Sequence, residues 1–164
     1  MSVLAASLLV ALTAATSAAA NAPAVQAFRM DFDYVDTWTC GFPIAVDGWL
    51  EVTTRTFVDA DGAPIRSATR NTAVFTWVGP TGFVVSNHQG WNSSVDLIAG
   101  TQTITGVLTR VVGPSVGLLL NDVGRLVLQV GGPPGPPVVL FDKGGQDSIF
   151  EPGVWDPVCA YLAG

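Results

Sequence analysis

Phe28-Arg29-Met30-Asp31-Phe32-Asp33-Tyr34 decides the fold class. Four large apolar side chains alternate with one basic and two acidic ones. That period of two puts Phe28, Met30, Phe32 and Tyr34 on one side of an extended strand and the charges on the other. The pattern recurs downstream. Ile44, Val46, Leu50 and Val52 alternate with Asp47, Trp49 and Glu51, in a strand that can run to Val58. Gly48 interrupts its apolar side, as a bulge or bend would.

Turn chemistry punctuates the rest. Asp59-Ala60-Asp61-Gly62 and Gly79-Pro80-Thr81-Gly82 read as tight turns on either side of a strand from Ile65 to Val78. Phe83–His88 reads as a fourth strand, Gln89–Asn92 as a loop and Ser93–Ile98 as a fifth strand. Thr101–Val112, Val116–Leu120, Arg125–Val130 and Val138–Phe141 complete the series, with Asn121–Gly124 as a turn. Gly131–Pro137 is a Gly/Pro connector without the strict triplet of collagen. Asp156–Leu162 carries one helical turn. Eight or nine strands on short connections mark an all-β chain. Long strands with the mid-strand glycines Gly48 and Gly106 favour a single antiparallel β-barrel, with a β-sandwich as the alternative.

Composition narrows the function. The 164 residues carry 7 Lys+Arg against 13 Asp+Glu, a formal net charge of −6, with one His and two Cys. An excess of acid opposes electrostatic binding of nucleic acid. One His and two Cys are too few for a zinc or iron–sulfur site, so no cofactor is expected. Residues 1–20 hold no charged side chain and end in Ala18-Ala19-Ala20, the pattern of a secretory signal peptide. Residues 21–164 then form one secreted all-β domain, with no membrane segment expected after cleavage. In an exported chain the pair Cys40 and Cys159 reads as a disulfide joining the two ends of that domain. The chain-entropy estimate for so long a loop is about 4–5 kcal/mol.

Four motifs bear on chemistry. Gly113-Pro114-Ser115-Val116-Gly117 matches a nucleophile elbow, but no helix follows and the one histidine, His88, precedes it. Asp47 and Glu51 flank Trp49 as a glycosidase pair could. Four strand positions separate them by about 13 Å, too far for either carboxylate geometry. Asp59-Ala60-Asp61-Gly62 starts like a calcium loop and lacks its later ligands. His88 is the one side chain suited to proton transfer near neutral pH. Five tryptophans remain the strongest compositional hint of a binding surface, with Trp91, His88 and Trp49 as the ligand-contact candidates.

The ordered series Cys40-Gly41-Phe42-Pro43, Gly79-Pro80-Thr81-Gly82, Gly100-Thr101 to Gly106, Gly124-Arg125 and Cys159-Ala160-Tyr161-Leu162 resembles a group of short secreted actinobacterial proteins. The resemblance implies export and a β-rich fold, and no reaction. A fold-level likeness to the small barrels of allene oxide cyclases and dirigent proteins carries over no catalytic residue. The expected function is therefore non-catalytic binding, of a small apolar molecule inside a barrel or of a surface partner. The alternatives are a carbohydrate or cell-wall polysaccharide module using exposed tryptophan, and a cyclase or isomerase in a barrel cavity using His88.

Overall fold

The computed structural model describes residues 22–130, 138–144, 151 and 153–164. The expected signal peptide and the Gly131–Pro137 connector lie outside them. Seven antiparallel strands follow in chain order: β1 Ala24–Asp36, β2 Ile44–Val58, β3 Pro64–Val78, β4 Val84–Asp96, β5 Thr101–Gly113, β6 Gly117–Gln129 and β7 Val138–Lys143. One helix, α1 Asp156–Ala163, ends the chain. Every strand pairs with its sequence neighbour, so the sheet is a simple meander in the order β1 to β7.

The strand count falls below the expected eight or nine for a definite reason. Gln89–Asn92, expected as a loop, is strand: β4 runs through it, with its register shifting between His88 and Gly90. Asn121–Gly124, expected as a turn, lies inside β6. In both places ladder hydrogen bonds to the flanking strands outweigh local turn propensity.

The expected barrel is also corrected. The sheet is open: β1 and β7 are its two ends and do not pair with each other. Closure would need the end strands to pair with each other, whereas among the described residues β7 has 6 residues against the 13 of β1 and pairs with β6. Nor do the described residues make the two packed sheets of a sandwich. The midstrand glycines allow close backbone approach instead of closure. Gly106 has φ +122°, and a Cβ there would stand 2.5 Å from the Gly90 carbonyl oxygen.

Residues opposite each other in an antiparallel ladder share a face, so the register sorts the side chains. The helix face holds Tyr34, Ile44, Val46, Trp77, Val85, Val111 and Leu126. At one end of the strands α1 covers it, burying Ile44, Val46, Trp77, Val85 and Val111 against Val158 and Leu162. Trp77 stacks on Trp155 at 5.2 Å between ring centres. The Cys40–Cys159 disulfide, expected from the pairing of the only two thiols, ties α1 to the loop after β1. Away from α1 this face is less covered, and Phe28 and Met30 are about half exposed. The opposite side of the sheet has no element packed on it among the described residues and is called here the open face.

Candidate functional site

All seven basic residues belong to the open face. The register places Thr53, Arg70, Asn92, Thr105, Arg125 and Lys143 in one cross-strand row from β2 to β7. The neighbouring row away from α1 holds Arg55, Ala68, Ser94, Thr103 and Val127. Arg66 lies on β3 beyond Ala68. Towards α1, Arg110 stands opposite His88, and Arg29 opposite Glu51.

These arginines divide into two groups. Arg29, Arg66 and Arg125 lie over the rings of Trp49, Phe57 and Phe141, at 4.6, 4.1 and 5.7 Å from the ring centres. Arg29 also binds Asp31 at 3.2 Å and Glu51 at 3.0 Å. Arg55, Arg70 and Arg110 are exposed and make no ion pair with a carboxylate among the described residues.

Those three line hollows. The largest, about 520 Å³, is bordered by Thr53, Arg55, Arg70, Asn92, Ser94, Thr103 and Thr105. A second of about 250 Å³ shares Arg70 and Asn92 with it, opens over Gly90 and is also bordered by Asn71, Thr72 and Trp91. A third of about 460 Å³ is lined by Ser86, His88, Arg110, Val112 and Pro114. Their common floor is β4. From Ser86 to Ser94 its open-face residues, Ser86, His88, Gly90, Asn92 and Ser94, are small or polar, with Val84 and Asp96 at the two ends of the strand. Eight strand positions span about 26 Å, so the hollows make a shallow trough of that length. Gly90 matters here by omission. It is the one position on this floor without a side chain, and a Cβ added there would meet nothing within 4 Å.

The expected contact residues separate. Trp49 and His88 lie in the same open-face row with Val74 between them, about 10 Å apart. The face of Trp49 is taken by the Arg29 guanidinium. Trp91 is on the other side of the sheet, opposite Asn71 and Gly106, and half-buried. Period two makes that outcome legible, because Trp91 is three positions from His88 on a strand whose pairing with β3 is regular, the extra residue of the β4–β5 bulge being in β5. The exposed tryptophan is Trp38, at 93 %. It sits in the loop after β1, at the α1 end of the strands.

None of the catalytic motifs assembles. Cross-strand neighbours of His88 are Val74 and Arg110, neither an acid that could orient an imidazole as a base. Ser115 lies in the β5–β6 turn with its Oγ 3.3 Å from the Tyr161 hydroxyl. Glu51 is engaged by Arg29 rather than facing Asp47. Asp59 Oδ1 accepts hydrogen bonds from the backbone N–H groups of Asp61 and Ala63, both at 2.9 Å, so the acidic turn closes on itself. Among the described residues no group of three potential metal ligands occurs, and no helix is long and apolar enough to cross a membrane. The arrangement is equipped to hydrogen-bond an elongated polar ligand.

The signals for this site are present in the sequence, but scattered. The three strands that carry its cations place them up to 55 positions apart along the chain, from Arg55 to Arg110, and only the ladder register aligns them. Comparison of the chain with protein-family models, with curated proteins and with solved structures finds no match in any of the three.

Proposed function

We propose that the protein is an exported binding domain that takes an extended polyhydroxylated chain, a cell-wall or extracellular polysaccharide, along β4 of the open face. One observation carries the reading: a trough about 26 Å long whose floor is Ser86, His88, Gly90, Asn92 and Ser94, flanked by threonine and arginine with Ala68, Val74, Val107 and Val112 among them. Hydroxyl, amide and guanidinium groups on a fixed sheet suit a ligand that presents many hydroxyls and little apolar surface. The apolar-ligand alternative loses its container with the open sheet. The cyclase or isomerase alternative loses its acid–base residue to an exposed position without an acidic neighbour.

Gly90→Leu is the direct test. The added side chain enters open space and fills the middle of the trough. Pull-down on a panel of insoluble and gelled polysaccharides should show binding by the parent protein and loss of it in Gly90→Leu, with the near-ultraviolet circular dichroism unchanged. Equal retention of both proteins would refute the trough as the site. Trp91→Ala should leave binding intact, because that ring lies on the other face.

A further inference from the structure

We infer that the ligand of this trough is polyanionic: an acidic polysaccharide bearing carboxylate or sulfate groups. The inference rests on the polysaccharide reading above and specifies its chemistry. In a chain with 13 acidic and 7 basic residues, chance would leave most cations beside acids. Instead all seven basic side chains share one face. Five of them, Arg55, Arg66, Arg70, Arg125 and Lys143, occupy the half away from α1, where the register places Asp96 opposite Arg66, with Asp59 and Asp61 in the β2–β3 turn at that end and Glu51, already bound by Arg29, diagonal to Arg70. Asp96 is committed to its own turn, where Oδ1 accepts from the N–H groups of Ile98 and Ala99 at 2.9 and 2.8 Å.

Aromatic rings, the usual platform for a neutral sugar, are closed off here. Trp49, Phe57 and Phe141 each have an arginine over the ring. What the trough offers instead is guanidinium. Arg55 is a diagonal neighbour of Arg70 across β2 and β3, about 8 Å away. Arg70 and Arg110, opposite Asn92 and His88 on the strands either side of β4, are about 16 Å apart, from about 13 Å along the strand and about 10 Å across two strand spacings. Each can present a planar fork to a carboxylate or sulfate, with Thr53, Asn92, Ser94 and Thr105 hydroxyl and amide groups beside it for the sugar. Such spacings suit acid groups repeated along a sugar polymer. They do not suit a nucleic-acid duplex, which carries a charge about every 1.7 Å, and a single-stranded oligonucleotide is the competing polyanion that the titration separates. The acids Asp31, Asp33 and Asp47 on the α1 half of the same face would also repel so dense a charge.

Polygalacturonate, its fully methyl-esterified neutral form and a single-stranded oligothymidylate serve as probes, by calorimetric titration at 50 and 300 mM NaCl. Polygalacturonate should bind, weaken at the higher salt, and lose roughly tenfold in affinity with Arg70→Gln and more with Arg55→Gln added. The methyl ester should bind at least tenfold more weakly than the acid. Equal binding of the ester, undisturbed by the arginine substitutions but abolished by Gly90→Leu, would overturn the anionic specificity and leave the polysaccharide reading standing. Tighter binding of oligothymidylate would overturn both in favour of nucleic acid. Failure of both polygalacturonate and its ester to bind, with the variants folded, would overturn the inference for this probe class and count against the polysaccharide reading itself.

Discussion

Asp36 shows how one side chain organises the end of a strand. Its carboxylate accepts from the backbone N–H groups of Trp38 at 2.7 Å and Thr39 at 3.2 Å, and from the Thr39 hydroxyl at 2.5 Å. Partial burial alone would raise its pKa. These hydrogen bonds outweigh it and hold the carboxyl below its ordinary value. The folded pKa lies below the unfolded one, near 3.9. Its stabilising contribution is therefore full above about pH 4 and is lost as pH falls through the folded value. Asp36→Ala should lower stability by about 1–2 kcal/mol near neutral pH. The gap to the parent should shrink in melts taken below pH 4, approximately where the carboxylate protonates. A gap independent of pH would mean that the loop from 37 to 43 does not depend on this charge. The same loop delivers Cys40 to its disulfide, so a local turn bears on the whole fold.

At the scale of elements, α1 is held by fit as much as by chemistry. Gly79 ends the β3 ladder, and a Cβ there would stand 2.2 Å from the Leu162 carbonyl oxygen. Thr81 Oγ1 donates to that same oxygen at 3.1 Å, and Phe83 meets Tyr161 edge-on at 5.1 Å. Gly79→Ala should push the helix off its seat and cost about 1–3 kcal/mol, the range for overpacking a filled site. Chemical denaturation would measure it, and a neutral result would show that the helix can shift to accommodate a methyl group. Strand periodicity was readable from the alternation at Phe28–Tyr34 and Ile44–Val52. The ends of elements were less so. Gly90 and Gly124 each look like turn residues in the sequence, yet the first lies inside β4 and the second inside β6, opposite Gly106. A local signal cannot report the ladder bonds that a neighbouring strand will supply.

For the whole molecule, the disulfide joins residues 119 apart in sequence. Its removal should cost about 2–5 kcal/mol. Because the bond clasps α1 to the sheet, loss of packing should begin there. Reduction, or Cys40→Ser with Cys159→Ser, should abolish the near-ultraviolet signal of the stacked Trp77–Trp155 pair at a lower denaturant concentration than the far-ultraviolet β signal. Coincident loss of both signals would instead make sheet and helix one cooperative unit. The uneven charge is also a property at this scale. Net charge is negative, yet the half of the open face remote from α1 is basic, so ligand binding there should depend on salt in the opposite sense to that expected from the net charge.

The sequence by itself determined the strand character, through period two, and the disulfide, through the presence of only two cysteines. It also offered Trp91, His88 and Trp49 as contact candidates, of which His88 lies on the β4 floor of the hollows. Tertiary structure decided the rest. Whether a meander closes depends on the pairing of its first and last strands, β1 and β7, which no local pattern encodes. Whether Trp49, His88 and Trp91 share a surface depends on whether one strand runs unbroken from His88 through Trp91 and on its register, since a single residue of shift moves a side chain through the sheet. The gathering of Arg55, Arg70 and Arg110 into one trough has the same origin: their chemistry is written in the chain, and their proximity is a property of the ladder.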